Sequence, residues 1–221
     1  MLEVWIVDLS YPLTCEQYQY LITKIAYDKR KRLEKFRFFE DAERSLIGDI
    51  LIRTLILKYN FNNSKEIVFE TNKYGKPYLK GNPNIHYNIS HSGIKVVCAI
   101  CDAPIGVDIE YVKPIDLTIA KRYFTQSEYD FINSTNNVNQ KYYRFYSIWT
   151  KKEAFIKQQG AGLHIPLKSF DVLDPHSKVF FQSIHQKSNF ICNICIPEKK
   201  IATTYYISAQ ELIIFFNSNI F

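Results

Sequence analysis

Apolar residues along the chain fall into two periods. Residues 2–9 (Leu-Glu-Val-Trp-Ile-Val-Asp-Leu) read as a strand. Residues 15–35 read as a helix that runs into a basic stretch. Over 40–59, Leu46, Ile47, Ile50, Leu51 and Leu55 recur at helical spacing and predict a long helix. Glu66–Glu70 reads as a strand, and Asn-Lys-Tyr-Gly-Lys-Pro at 72–77 as a turn. Ile85–Ile89 and Lys95–Ile100 predict strands around a loop, Ser90-His91-Ser92-Gly93, and Ile105–Tyr111 predicts another strand. Residues 116–133 read as helix or turns, and the Asn-rich 133–140 as a loop. A second long helix is predicted over 141–159. Strand-like runs follow near 168–173, 178–184, 189–196 and 201–207.

Strands and one long helix therefore appear in each half. The pattern predicts an α+β chain of two similar halves, cut near Asp102-Ala-Pro-Ile105: residues 1–103 and 104–221. Similarity between the halves is too faint to count as a sequence repeat. No flexible linker separates them, so tight contact between the halves is expected.

Composition narrows the class. The 221 residues are 47% apolar, with only 7 Gly and 8 Pro, which argues for a globular chain rather than a disordered or fibrous one. A chain this long buries roughly 70% of its unfolded surface and needs no staples. Lys and Arg total 28 against 22 acids, a formal charge of +6 that favours anionic partners. Lys29, Arg30, Lys31, Arg32, Lys35 and Arg37 concentrate this charge. They form either a solvated helix face or an anion site.

The cysteines at 98 and 101, and at 192 and 195, have zinc-like spacing. Both pairs lie in strand-like runs, where residues three apart face opposite ways. Buried free thiols are the better reading, in a reducing compartment. The N-terminal residues lack the bases of a signal peptide. No apolar run reaches the ~18 residues of a membrane span, so a cytoplasmic protein is expected.

Carboxylates carry the candidate chemistry. Asp108 and Glu110 alternate with Val107, Ile109 and Tyr111, so they share one strand face. They lie about 7 Å apart or less, near enough to approach one ion. An ordinary solvated strand face would look the same. On the 141–159 helix, Tyr142, Phe145, Tyr146, Trp149 and Ile156 mark an apolar face, and Glu153 falls on it. An acid there is paired, exposed by the fold or cation-bound. The alternative is an i,i+4 pair with Lys157, worth only ~0.3–0.5 kcal/mol. Three acids on rigid elements would suit a hard cation such as Mg²⁺.

Gly106-Val-Asp-Ile-Glu110, followed by Trp149-Thr-Lys-Lys-Glu-Ala-Phe-Ile-Lys157, resembles the signature of the 4′-phosphopantetheinyl transferase superfamily. Phe38–Arg53, Tyr74-Gly-Lys-Pro77, Tyr87-Asn-Ile-Ser-His-Ser-Gly93, Phe124-Thr-Gln-Ser-Glu128 and Gly160-Ala-Gly-Leu163 resemble its larger, surfactin-synthetase-activating type. The resemblance spans residues 2–172. It implies a pseudo-twofold monomer that binds coenzyme A between its halves. The phosphopantetheine arm would pass to a serine of an acyl or peptidyl carrier protein, in peptide-synthetase, fatty-acid or lysine pathways.

By position, Asp108, Glu110 and Glu153 would hold Mg²⁺, or Mn²⁺. Lys157 would reach a phosphate, and Lys29, Arg32 and Arg44 the 3′-phosphate region. Gly75, Lys76, Pro77, Ser90 and His91 would line the nucleotide pocket. Glu153 or Glu128 would take the serine proton, with Glu153 preferred. By its residues alone, Glu128 is a capping-box acid after Thr125. Carrier docking is expected within 160–190, around Lys168, Phe170, Phe180 and Phe181. Composition leaves one rival, a basic nucleic-acid-binding protein without enzymatic activity. No G-x-x-x-x-G-K-[ST] loop is present.

Overall fold

A computed structural model of the chain describes residues 1–59, 67–185 and 189–218. Strand β1 (Leu2–Asp8) is central to the first sheet. It pairs antiparallel with β5 (Lys95–Cys101), which pairs in turn with β4 (His86–Ser92). On its other edge β1 pairs parallel with β9 (Thr203–Ser208), giving the order β4-β5-β1-β9. The short β2 (Phe69–Thr71) and β3 (Pro77–Leu79) form a separate hairpin. The second sheet is antiparallel, ordered β6 (Gly106–Tyr111), β8 (Phe190–Ile196), β7 (Phe180–Ile184).

Layering follows from which faces are apolar. Trp5, Val7, Val96, Cys98 and Ile100 face the long helix α3 (Phe39–Lys58), whose Leu46, Ile47, Ile50, Leu51 and Leu55 are fully buried. The other face, Val4, Ile6, Val97, Ala99 and Cys101, packs on Val107, Ile109, Cys192, Ile194 and Ile196 of the second sheet. Strands β1 and β5 are thus buried on both sides, which explains their near-continuous apolar runs. The second sheet is covered on its far side by α6 (Val138–Gln159), beside α4 (Thr118–Tyr123) and α5 (Gln126–Asn133). The mixed α+β class is the one the sequence predicts. Cys98 and Cys101 do fall in different cores, and the four strand cysteines are free and buried.

Several boundaries differ, each for a physical reason. The helix expected over 15–35 is two, α1 (Cys15–Ile22) and α2 (Tyr27–Leu33). At the break, the Arg30 guanidinium takes the carbonyls of Thr23 and Ile25. Ser90–Ser92 lie within β4 rather than in a loop. No strand forms at 168–173. A 3₁₀ turn at Leu167–Ser169 stands there, its flanking carbonyls bound by Lys152. A last helix α7 (Ala209–Ser218) was not predicted, although Ser208 and Glu211 form a capping box at its start. The chain's end returns to the first sheet: β9 pairs with β1, and α7 contributes Leu212 and Phe216 to the core under α3. The Glu66 end of the predicted strand lies outside the described residues.

Candidate active site

Gly106 sets the geometry. A Cβ built on it would lie 1.9 Å from the Ala154 carbonyl oxygen and 2.4 Å from the Gln158 nitrogen. Helix α6 therefore rests its backbone directly on β6, a contact only glycine permits. Val107 and Ile109 turn to the inter-sheet core. Asp108 and Glu110, of opposite parity, turn toward α6, which supplies Glu153 and Lys157.

Asp108 is 4% exposed. Its Oδ1 accepts from Ser90 Oγ at 2.8 Å and from Lys157 Nζ at 2.6 Å, while its buried Oδ2 has no hydrogen-bond partner. Lys157 Nζ also donates to Ser90 Oγ (3.0 Å) and the Val107 carbonyl (3.2 Å). Glu110 Oε2 accepts from Ser92 Oγ at 2.9 Å. Burial, reinforced by the Asp108 charge, pushes the carboxyls of Glu110 and Glu153 above the usual carboxylate range. The alternative i,i+4 pair of Glu153 with Lys157 does not form; the lysine goes to Asp108.

Among the described residues, no three Asp, Glu, His or Cys side chains are already gathered as a metal-binding group. The donor chemistry nevertheless fits a hard cation. Asp108 has an unsatisfied buried oxygen, and Glu110 and Glu153 each sense its negative charge.

Strand β4 joins the two sheets by side chains rather than by a backbone ladder. Asn88 Oδ1 accepts from Val107 N (2.8 Å), Ser90 Oγ reaches Asp108, and Ser92 Oγ reaches Glu110 and accepts from Tyr111 N (3.1 Å). Sequence reasoning missed this ladder. Its signal was the alternation Asn88, Ser90, Ser92 at the period of a strand.

On the opposite parity of β4, His91 opens into a cleft of about 1320 Å³. Lys29, Arg32, Arg44, Gly75 and Pro77 line it too, as expected from sequence. Arg44 is anchored on Asp41 and the Gly93 carbonyl. Burial lowers the Lys29 ammonium, and burial, with the charges of Arg44 and Lys157, keeps His91 below the ordinary imidazole value. Further lining residues escaped the sequence reading, among them Arg53, Asp49 and Phe69. Arg53 is held by Asp49 at 2.7 Å and lies over the Phe69 ring, 5.1 Å from its centroid.

Three expected site residues are placed elsewhere: Ser90, which faces Asp108 rather than the cleft, Lys76 and Glu128. Lys76 Nζ turns from the cleft and donates to the carbonyls of Ile105 and Gln158, both at 3.1 Å. There it ties the turn at 72–77 to the end of α6, and burial pushes its ammonium down to about 8. Glu128 is wholly buried. One oxygen accepts from Val172 N, and the other from Thr125 N and the equally buried Lys152 Nζ at 2.9 Å. Glu128 is therefore a capping and core acid, with both oxygens satisfied inside the protein.

In the segment expected to dock a carrier, Lys168 is exposed. Phe170 is partly buried against Phe155, with ring centroids 4.4 Å apart, and Phe180 and Phe181 pack against the cores. Residues 186–188 of that segment lie outside the described ones.

Fold and site together define a mixed α+β protein that presents Asp108 and Glu110 on one strand face beside a basic cleft. Residues 104–209 match the 4′-phosphopantetheinyl transferase superfamily, and residues 11–102 match the 4′-phosphopantetheinyl transferase N-terminal family. The chain is 42% identical over 171 residues to the 4′-phosphopantetheinyl transferase Sfp of Bacillus subtilis, covering 77% of this chain and 76% of the relative. It is 35% identical over 212 residues to the 4′-phosphopantetheinyl transferase gsp of Aneurinibacillus migulanus, covering 96% and 86%. A mammalian relative, the L-aminoadipate-semialdehyde dehydrogenase-phosphopantetheinyl transferase of Mus musculus, is 32% identical over 66% of this chain and 52% of its own length. The chain belongs to the 4′-phosphopantetheinyl transferase superfamily, in its larger, surfactin-synthetase-activating type, and is an enzyme of that kind.

Proposed function

We propose that the chain transfers the 4′-phosphopantetheine arm of coenzyme A to a serine of an acyl or peptidyl carrier protein, releasing 3′,5′-ADP. One observation carries the assignment. Successive residues of β4 serve the two halves of the chemistry: Ser90 holds Asp108, and His91 opens into the basic cleft. An anionic nucleotide in that cleft has its phosphates brought toward the carboxylates.

Lys29, Arg32 and Arg44 take the 3′-phosphate end, where cationic side chains at an entrance also speed capture. Gly75 and Pro77 border the nucleotide. His91, whose imidazole burial keeps below its ordinary value, donates an N–H to phosphate. Asp108, Glu110 and Glu153 hold Mg²⁺, or Mn²⁺ in its place. Such a cation, when bound, offsets charge on the pyrophosphate oxygens. The serine oxygen forms a bond to the β-phosphorus, and the bond from that phosphorus to the bridging oxygen breaks. The electron pair leaves with 3′,5′-ADP. Glu153 accepts the serine proton. Lys157 offers its ammonium to the transferring phosphate.

Lys168 supports carrier docking within 160–190, because an exposed cation there suits an acidic partner helix. The free thiols support a cytoplasmic setting. A monomer serving peptide-synthetase or fatty-acid carriers completes the reading. Incubation with coenzyme A, Mg²⁺ and an apo-carrier tests it: the carrier should gain about 340 Da. No gain with several carriers rejects it.

A further inference from the structure

We infer that Lys157 is the resident counter-ion of the carboxylate site: its ammonium occupies the place of the divalent cation until coenzyme A draws it onto phosphate, so that coenzyme and cation load together. The inference rests on the reading of Asp108, Glu110 and Glu153 as cation ligands.

The geometry is that of a filled site. An ammonium has three N–H donors. All three find protein oxygens: Asp108 Oδ1 at 2.6 Å, Ser90 Oγ at 3.0 Å and the Val107 carbonyl at 3.2 Å. Lys157 is thus satisfied with no ligand present. Glu110 and Glu153 lie within reach of the same charge. The one ammonium is bonded to Asp108 alone among the three acids, and Asp108 Oδ2 stays without a partner. A divalent cation approaching Asp108 meets a positive charge already on Oδ1, and the two repel.

Departure of Lys157 requires another set of acceptors. Its side chain is 27% exposed and stands on α6, so only side-chain rotation separates it from the carboxylate. Phosphate oxygens offer a charged alternative that water does not. Coenzyme A thereby removes a competitor for the cation site. By linkage, the cation raises coenzyme affinity by the same factor.

The sign of one effect separates this role from a structural one. If Lys157 merely orients Asp108, its removal weakens cation binding. If it competes, its removal tightens cation binding in the coenzyme-free protein. The test is Mn²⁺ binding to the full chain without coenzyme A, read as loss of the free-ion paramagnetic resonance signal. Wild type is compared with Lys157→Met and with Lys157→Gln, which keeps a polar group, each first checked for a cooperative melt.

Both variants should bind Mn²⁺ about tenfold or more tightly than wild type, within the usual range of coupling factors of about 5–150. Adding coenzyme A should raise Mn²⁺ affinity in wild type by a larger factor than in either variant. Equal or weaker Mn²⁺ binding by both folded variants overturns the inference and leaves the ligand assignment standing. Failure of wild type to bind Mn²⁺ even with coenzyme A overturns the ligand assignment and the inference with it.

Discussion

Replacing Gly106 by alanine adds one carbon where β6 and α6 touch. That carbon would stand 1.9 Å from the Ala154 oxygen and 2.4 Å from the Gln158 nitrogen, both backbone atoms. Relaxed carbon–oxygen contacts need about 3.3 Å, so the helix must retreat by more than about 1 Å. Overpacking of this kind costs about 1–3 kcal/mol, occasionally more. For a chain of this size each kcal/mol lowers Tm by about 2–4 °C. Activity should suffer more than stability. Glu153 and Lys157 ride on α6 while Asp108 and Glu110 stay on β6, and a 1 Å misplacement can cost about 100-fold in rate. The assay pairs a thermal melt with the transfer rate at saturating coenzyme A and carrier. Gly81→Ala is the control: its φ of +76° strains an alanine, yet nothing lies within 4 Å of the added carbon. It should lose stability and keep its rate. A Gly106→Ala enzyme with wild-type Tm and rate would refute the claim that this contact sets the site.

Lys152→Met strands Glu128 as an unpaired buried charge and should cost about 3–5 kcal/mol in a urea melt. A Lys152→Met/Glu128→Gln double variant should recover much of that loss together with transfer activity, whereas stability without activity would restore Glu128 as a catalytic base. Lys76 supplies a pH dependence. Its ammonium titrates at about 8 in the folded chain against 10.5 when unperturbed, so between those values the unfolded chain holds more protons and stability rises with pH. The stability of wild type relative to Lys76→Met should therefore climb from pH 8 to 10.5 and be flat below 8. Asp108→Ala and Glu110→Ala should each abolish transfer while the circular-dichroism spectrum is retained, and full activity in either would remove it from the cation site.

What was legible in the chain was local and periodic. Alternation placed Asp108 and Glu110 on one face because a strand repeats every two residues. Helical spacing found α3 and most of α6. Polarity gives no sign of side chains satisfied inside: Thr150 and Lys152 are fully buried on α6, bonded to the Tyr146, Leu167 and Phe170 carbonyls. Nothing in a residue's own neighbourhood says that Lys76 turns to Ile105 and Gln158, or that Lys157 crosses to Asp108 on β6. The parallel pairing of β9 with β1 joins opposite ends of the chain, and its register depends on partners that periodicity cannot name. The Asn88-Ser90-Ser92 ladder is legible in principle from its alternation, but the polar run around Gly93 reads as a loop and hides it.

The central claim is phosphopantetheine transfer at the carboxylates between β6 and α6. The most direct measurement is the intact mass of an apo-carrier after incubation with coenzyme A and Mg²⁺, using wild type and a Glu153→Gln variant matched in Tm. The account predicts a gain of about 340 Da with wild type and none with the variant over the same time. An unmodified carrier with wild type, across acyl and peptidyl carriers, or full modification by Glu153→Gln, would contradict it.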